Sequence, residues 1–188
     1  MTITPAAIGR IALLGLLAAL LQLTAASQVS IFGVPVDLSP LIVASVGFLT
    51  GSVPGAVLGF SLGLFIDTAL LQTLGVTSLV LTLVGYGAGR LRELRDPAHG
   101  LAPVAVGAAA TAATALGVIL LQFLLGVEAP LSGQVIRQVL MTLVLNTLLA
   151  LPVYALCRRA LLPFLPDDPR RRRRRAYTTG GLSPLSKA

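Results

Sequence analysis

The sequence predicts an all-α integral membrane protein of about six transmembrane helices, and three observations predict it. Of the 188 residues, 55% are hydrophobic and 11% charged, giving a mean hydropathy of +0.91, far from the range of a soluble domain. Apolar stretches at residues 11–27, 41–71, 76–89, 101–127 and 138–157 are marked off by charges and turn formers, and each can cross a bilayer core about 30 Å thick. Lys and Arg fall on alternate connections, the pattern of a polytopic chain with its basic loops in the cytoplasm.

The first span is expected at 8–28, opened by Arg10. Ala25-Ala26-Ser27 resembles a signal-peptidase site, but the apolar stretch is long for a signal and Arg10 alone supplies the positive start, so a retained helix is expected. Gln22 is expected to bond across helices. The segment from Gln28 to Pro40 carries one charge, Asp37, and is assigned to the outside.

Charge parity decides how 41–71 is folded. One crossing there would place Arg90, Arg92 and Arg95 outside if Arg10 is inside, whereas two crossings restore agreement. A continuous helix over that stretch would measure about 46 Å, too long unless steeply tilted. Pro54, within Gly51-Ser52-Val53-Pro54-Gly55, supplies a break, because proline lacks a backbone donor and clashes with the preceding turn. Two helices are therefore expected, 38–51 and 54–71, the first short for a full crossing. Five spans with an outside amino terminus is the alternative, and it leaves only Arg10 on the wrong side.

The fourth span, 76–92, ends in Gly85-Tyr86-Gly87-Ala88-Gly89-Arg90. A phosphate-cradling loop would have to follow a strand and open a helix, so close packing on two sides is the expected role, with Tyr86 buried between helices. The fifth span, 101–126, contains the small-residue run from Ala108 to Ala115 and precedes an outer loop carrying Glu128. The sixth, 136–157, begins at Arg137, which can snorkel or pair with Glu128. Gln122, Gln138 and Asn146 are expected to bond across helices rather than line a pore. Residues 1–165 thus form the membrane domain with both termini cytoplasmic. Residues 166–188 form a tail expected to be disordered, carrying Arg170, Arg171, Arg172, Arg173, Arg174 and Arg175. That tail suits anionic lipid headgroups or an acidic protein face; nucleic acid is disfavoured without a folded module or interleaved aromatics.

Cys157 is the only cysteine and His99 the only histidine, which excludes disulfide frameworks, Cys/His metal sites and Ser-His or Cys-His nucleophilic chemistry within one chain. No cofactor and no metal is expected, and Cys157 reads as a small apolar filler. The strongest pattern is a ladder at four-residue spacing: Gly47, Gly51, Gly55, Gly59, Gly63 and Asp67. Such positions share a helix face and let another backbone approach closely. With a break at Pro54 only Gly55, Gly59, Gly63 and Asp67 stay on one face, and the register with Gly47 and Gly51 is expected to be coincidence. Asp67 is then placed toward the outer surface, where its carboxylate need not be desolvated. A packing seam is favoured over an ion or ligand site.

Gly59-Phe60-x-x-Gly63-Leu64-x-x-Asp67, followed by Gly75 and by Gly85-Tyr86, resembles the rod shape-determining protein MreD family, from about Asp37 to Arg95. The resemblance implies a non-enzymatic scaffold of the bacterial cell-wall elongation machinery, in the inner membrane. It implies binding to MreC and, through it, linkage to the RodA glycosyltransferase, its penicillin-binding transpeptidase and MreB filaments. It also implies an architecture similar to the membrane substrate-binding subunits of energy-coupling-factor transporters. On this reading Gly55, Gly59, Phe60, Gly63, Asp67, Gly85, Tyr86 and Gly89 serve helix packing or partner binding. The glycine face accepts an internal helix or one from MreC, and Asp67 orders the outer end of its span by capping the loop through Gly75. The competing function is a small-molecule or lipid-binding subunit similar to a vitamin transporter component. A homo-oligomer is compatible with either.

Overall fold

The structure, a computed structural model, describes residues 5–28, 30–31, 34–35, 37–94, 102–126 and 133–161. The Arg170–Arg175 run, His99 and Glu128 lie outside the described residues. Six helices follow in order: α1 (Pro5–Gln28), α2 (Ser39–Thr50), α3 (Ser52–Ala69), α4 (Val76–Leu94), α5 (Ala102–Leu124) and α6 (Gly133–Leu161). Between α1 and α2 sits a minimal antiparallel pair, β1 (Ser30–Ile31) with β2 (Val34–Pro35), which the sequence did not announce.

The expected break in the 41–71 stretch exists, but its pivot is Gly51 rather than Pro54. Gly51 adopts φ 113° and ψ 176°, a conformation open to glycine, and its N–H closes α2 by bonding to the Gly47 carbonyl at 2.8 Å. Pro54 falls inside the first turn of α3, where a missing N–H costs nothing because that donor has no intrahelical partner. The chain reverses there. Val43 and Leu49 on α2 meet Gly85 and Arg92 on α4 in the same order, whereas Gly55, Gly59 and Gly63 on α3 meet Gly85, Leu81 and Ser78 in the opposite order. Hence α2 runs parallel to α4, and α3 antiparallel to both.

Helix α2 is the hub. Every residue from Ser39 to Leu49 is buried, and the helix touches all five others. Its apolar residues run all round, the signature of a helix enclosed by protein. Ile42, Val43, Val46 and Leu49 join a cluster with Ala18 and Ala19 of α1, Leu58 and Leu62 of α3, Leu81 of α4 and Cys157 of α6. Ala44 joins a second cluster with Val80 and Val84 of α4 and Ala110 of α5. Cys157 is therefore the apolar filler expected.

Among the described residues, three helical segments are long and apolar enough to cross a membrane by length and composition, namely Ser52–Ala69, Ala102–Leu124 and Val135–Leu161. Shorter apolar helical stretches, Gly9–Leu20 and Ser39–Thr50, accompany them. Helix α4 is not among these, because Arg90, Arg92 and Glu93 occupy its final turns.

Most of the described basic residues gather at one end of the bundle, and Arg137, in the first turns of α6, is the exception. Arg10 donates to the Ala160 carbonyl at 3.1 Å, at the end of α6, and Arg92 donates to the Leu49 carbonyl at the end of α2. Both guanidinium groups meet carbonyls left unpaired where a helix stops, which carry its negative dipole end. Arg158 and Arg159 lie in the last turn of α6 at the same end.

If Gly51 is the pivot, Gly51→Ala destabilises the purified protein by about 1–3 kcal/mol, the cost of forcing a side chain into that backbone region. Pro54→Ala changes stability by less than about 1 kcal/mol. Thermal unfolding followed by labelling of buried Cys157 compares the two.

Candidate interaction site: the glycine seam and the Asp67 cap

The predicted glycine face forms one seam, and its occupant is α4. A methyl group built on Gly59 would collide with the Leu81 carbonyl, and one on Gly63 with the backbone of Ser78 and Thr77. From the other side, a methyl on Gly85 would strike the Gly55 carbonyl, and one on Gly89 the backbone of Ser52 and Gly51. Gly55, Gly59, Gly63, Gly85 and Gly89 are thus brought together along the full length of α3 and α4. Backbones in such contact gain dispersion energy that side chains would block, which matters in lipid, where apolar burial between helices gives little drive.

The register with Gly47, expected to be coincidence, has a structural role. A methyl on Gly55 would lie 2.6 Å from the Gly47 Cα, and methyls on Gly47 or Gly55 would both collide with the Gly85 carbonyl. The reversal at Gly51 folds the two halves of the ladder onto one glycine of α4, so three helices share a contact without side chains.

Two expectations for α4 are corrected. Tyr86 is exposed, at 47%, instead of buried between helices. Successive helical residues diverge by about 100°, so pointing Gly85 and Gly89 at α2 and α3 turns Tyr86 away from that contact. Gly87 makes no close backbone contact in the direction of a side chain: a methyl there meets nothing within 4 Å, and Gly87 instead borders an apolar groove of about 400 Å³ between α4 and α5. Phe60, beside Gly59, is likewise exposed, and with Val53, Val57 and Leu64 it forms an outward stripe on α3.

Asp67 closes the seam. It is fully buried, which corrects the expectation of a solvated outer-end carboxylate. Its Oδ2 accepts the Gly75 N–H at 2.8 Å and the Ser78 N–H at 3.4 Å, two of the donors left free at the start of α4. A carboxylate there also faces the positive end of the helix dipole. The loop through Gly75 is therefore capped as the resemblance implied, with Gly75 at φ 92° turning the chain into α4. Burial follows from the seam: Gly63 lets the first turn of α4 descend onto α3, and the turn covers Asp67. The Oδ1 atom is buried without a partner among the described residues. Ser78, not anticipated from sequence, adds a hydroxyl bond to the Phe60 carbonyl at 3.0 Å. Its one signal was a serine inside the apolar 76–89 stretch.

A second polar cluster lies at the start of α2. Gln22 accepts the Leu38 N–H at 3.3 Å, the cross-helix bond expected of it, and Asn146 bonds to the Asp37 carbonyl and to Thr111. Asp37 belongs to this cluster instead of lying free in an outer loop. Gln138 is exposed, so it does not share this role.

A family model for the rod shape-determining protein MreD matches residues 8–160, which takes in nearly all six helices. No curated protein and no solved structure matches.

Asp67→Ala strands two amides and is expected to lower stability by about 1–3 kcal/mol for each, while Asp67→Asn, which keeps an acceptor, recovers part of the loss. In the same thermal assay Gly63→Leu should abolish folded protein, whereas Gly87→Leu, with open space beside it, is tolerated.

Proposed function

The chain belongs to the family of the rod shape-determining protein MreD, generally non-catalytic shape-determining membrane proteins, and on that premise we propose that it is a scaffold of the cell-wall elongation machinery that binds MreC. Through MreC it is linked to RodA, the penicillin-binding transpeptidase and MreB. The observation that carries this reading is the α2–α3–α4 unit, in which backbone contact and the Asp67 cap give a firm platform. Because α4 fills the glycine face, the partner binds elsewhere. The exposed stripe of α3 carrying Phe60, together with Tyr86 on α4, offers the kind of aromatic anchors that interfaces favour.

In this reading α1, α3, α4, α5 and α6 cross the inner membrane and α2 supplies the inner half of the remaining crossing, in an architecture similar to the substrate-binding subunits of energy-coupling-factor transporters, with both termini cytoplasmic. The grouping of Arg10, Arg92, Arg158 and Arg159 at one end supports that orientation. Neighbouring protein shields the short α2 and the charged last turns of α4. The Arg170–Arg175 run holds the tail to anionic headgroups of the inner leaflet, at about 1 kcal/mol for each charge near the surface. Unpaired polar atoms around Asn146 favour a second reading, a ligand-binding membrane subunit.

Co-purification with MreC in detergent tests the scaffold. Phe60→Ala and Tyr86→Ala should leave the protein folded and weaken the complex at least about tenfold, consistent with aromatic hot spots. Gly59→Leu should lose complex and folded protein together. An undiminished complex in the double aromatic variant would contradict the proposed surface.

A further inference from the structure

We infer that Asp37, Ser39 and Asn146 form a binding site for a small monovalent cation, set midway along the helical bundle at the amino-terminal end of α2. The inference does not depend on the scaffold reading. Helix α2 has 12 residues against 23 in α5 and 29 in α6. Its amino-terminal end is met by Thr111 and Asn146, which lie near the midpoints of those longer helices.

Asn146 anchors the site. Its Nδ2 donates to the Asp37 carbonyl at 2.7 Å and to Thr111 Oγ1 at 3.2 Å, while the Thr111 hydroxyl donates to the Gly107 carbonyl at 3.0 Å. A flipped amide would set Oδ1 against the Asp37 carbonyl oxygen, so the orientation is determined and Oδ1 is an acceptor. Asn146 is fully buried, and this Oδ1 has no partner among the described residues. Ser39 is 2% exposed, and its Oγ is also buried, with no partner among the described residues. Native interiors rarely leave such groups unmatched, since each costs about 1–3 kcal/mol.

Charge selects the ligand. Asp37 Oδ1 accepts the Ser39 N–H at 3.0 Å, and among the described residues no basic side chain pairs with this carboxylate. The α2 amino terminus offers about half a positive charge, which leaves the cluster net negative. A water molecule would satisfy the orphan oxygens without neutralising that charge, and a proton on the Asp37 carboxyl would neutralise it while its single O–H matched at most one of them; a cation does both. Hard oxygen donors suit sodium, potassium or ammonium. Among the described residues no group of three or more His, Cys, Asp or Glu gathers to hold a metal ion, which argues against a divalent ion. A carboxylate at mid-depth, away from the ends of the neighbouring helices, is where membrane proteins place ion sites.

The chain itself supplies the assay. It has one cysteine, Cys157, buried in the core, and no tryptophan, so a thiol-reactive dye reports unfolding of the full-length protein in detergent. Melting is measured in sodium, potassium, ammonium and N-methylglucamine chlorides at equal ionic strength. A saturable rise in melting temperature of several degrees is expected with one small cation over N-methylglucamine. Asp37→Asn keeps an acceptor for the Ser39 N–H but removes the charge, and should shift half-saturation at least about tenfold or abolish the rise. Ser39→Ala removes an unpaired hydroxyl, so it should be harmless or stabilising in N-methylglucamine and should diminish the rise with the preferred cation. Equal melting in all four salts means water alone and overturns the site. So does a cation-dependent rise that either variant leaves unchanged.

Discussion

Direct contact between the backbones of α3 and α4 is the constraint on which the rest of this structure depends. In lipid, burying a leucine against a leucine replaces one apolar neighbour with another, so helices adhere through close atomic contact and through polar groups that lipid cannot satisfy. Gly55, Gly59 and Gly63 meet Gly85, Leu81 and Ser78 with no room for a single methyl. Once α4 lies that close, its first turn covers Asp67, which takes up two of its free amides. The cap in turn holds α4 in register with α3.

The same contact shelters α2. A 12-residue apolar helix is too short to cross alone, and it persists because five neighbours surround it and Gly47 lets it join the seam at Gly85. Both of its ends require outside help. Arg92 meets a carbonyl at one end, and a cluster of Gln22, Asp37 and Asn146 surrounds the other. Hydroxyls elsewhere are satisfied locally: Thr82, Thr114 and Thr147 bond back to carbonyls one turn earlier, so few polar groups remain to be explained. Among the described residues the exceptions are Asp67, Ser39 and Asn146, each with a buried oxygen left unmatched.

Much of this was legible in the amino-acid order. Helix number, approximate bounds and the Gly55–Asp67 face follow from hydropathy and four-residue spacing, because both are properties of a single helix. What failed depended on neighbours. Pro54 advertised a break that Gly51 makes, since a proline is harmless in a first turn and sequence does not reveal where that turn begins. Asp67 was judged by its distance from the end of its own helix, yet it was buried by the next one. Tyr86 and Gly87 were misjudged because alternating glycines do not say which side a neighbour takes. Asp37 looked like a loop residue because nothing local shows that α2 stops half-way along α5 and α6.

The central claim, that both halves of the ladder converge on one glycine of α4, is most directly tested by solid-state NMR of the glycine-labelled protein in lipid bilayers. Correlations between carbonyl and Cα carbons should link Gly85 to both Gly47 and Gly55, positions far apart in sequence. A spectrum in which Gly85 correlates only with Gly87 and Gly89, with Gly47 and Gly55 unconnected to it, would contradict that convergence.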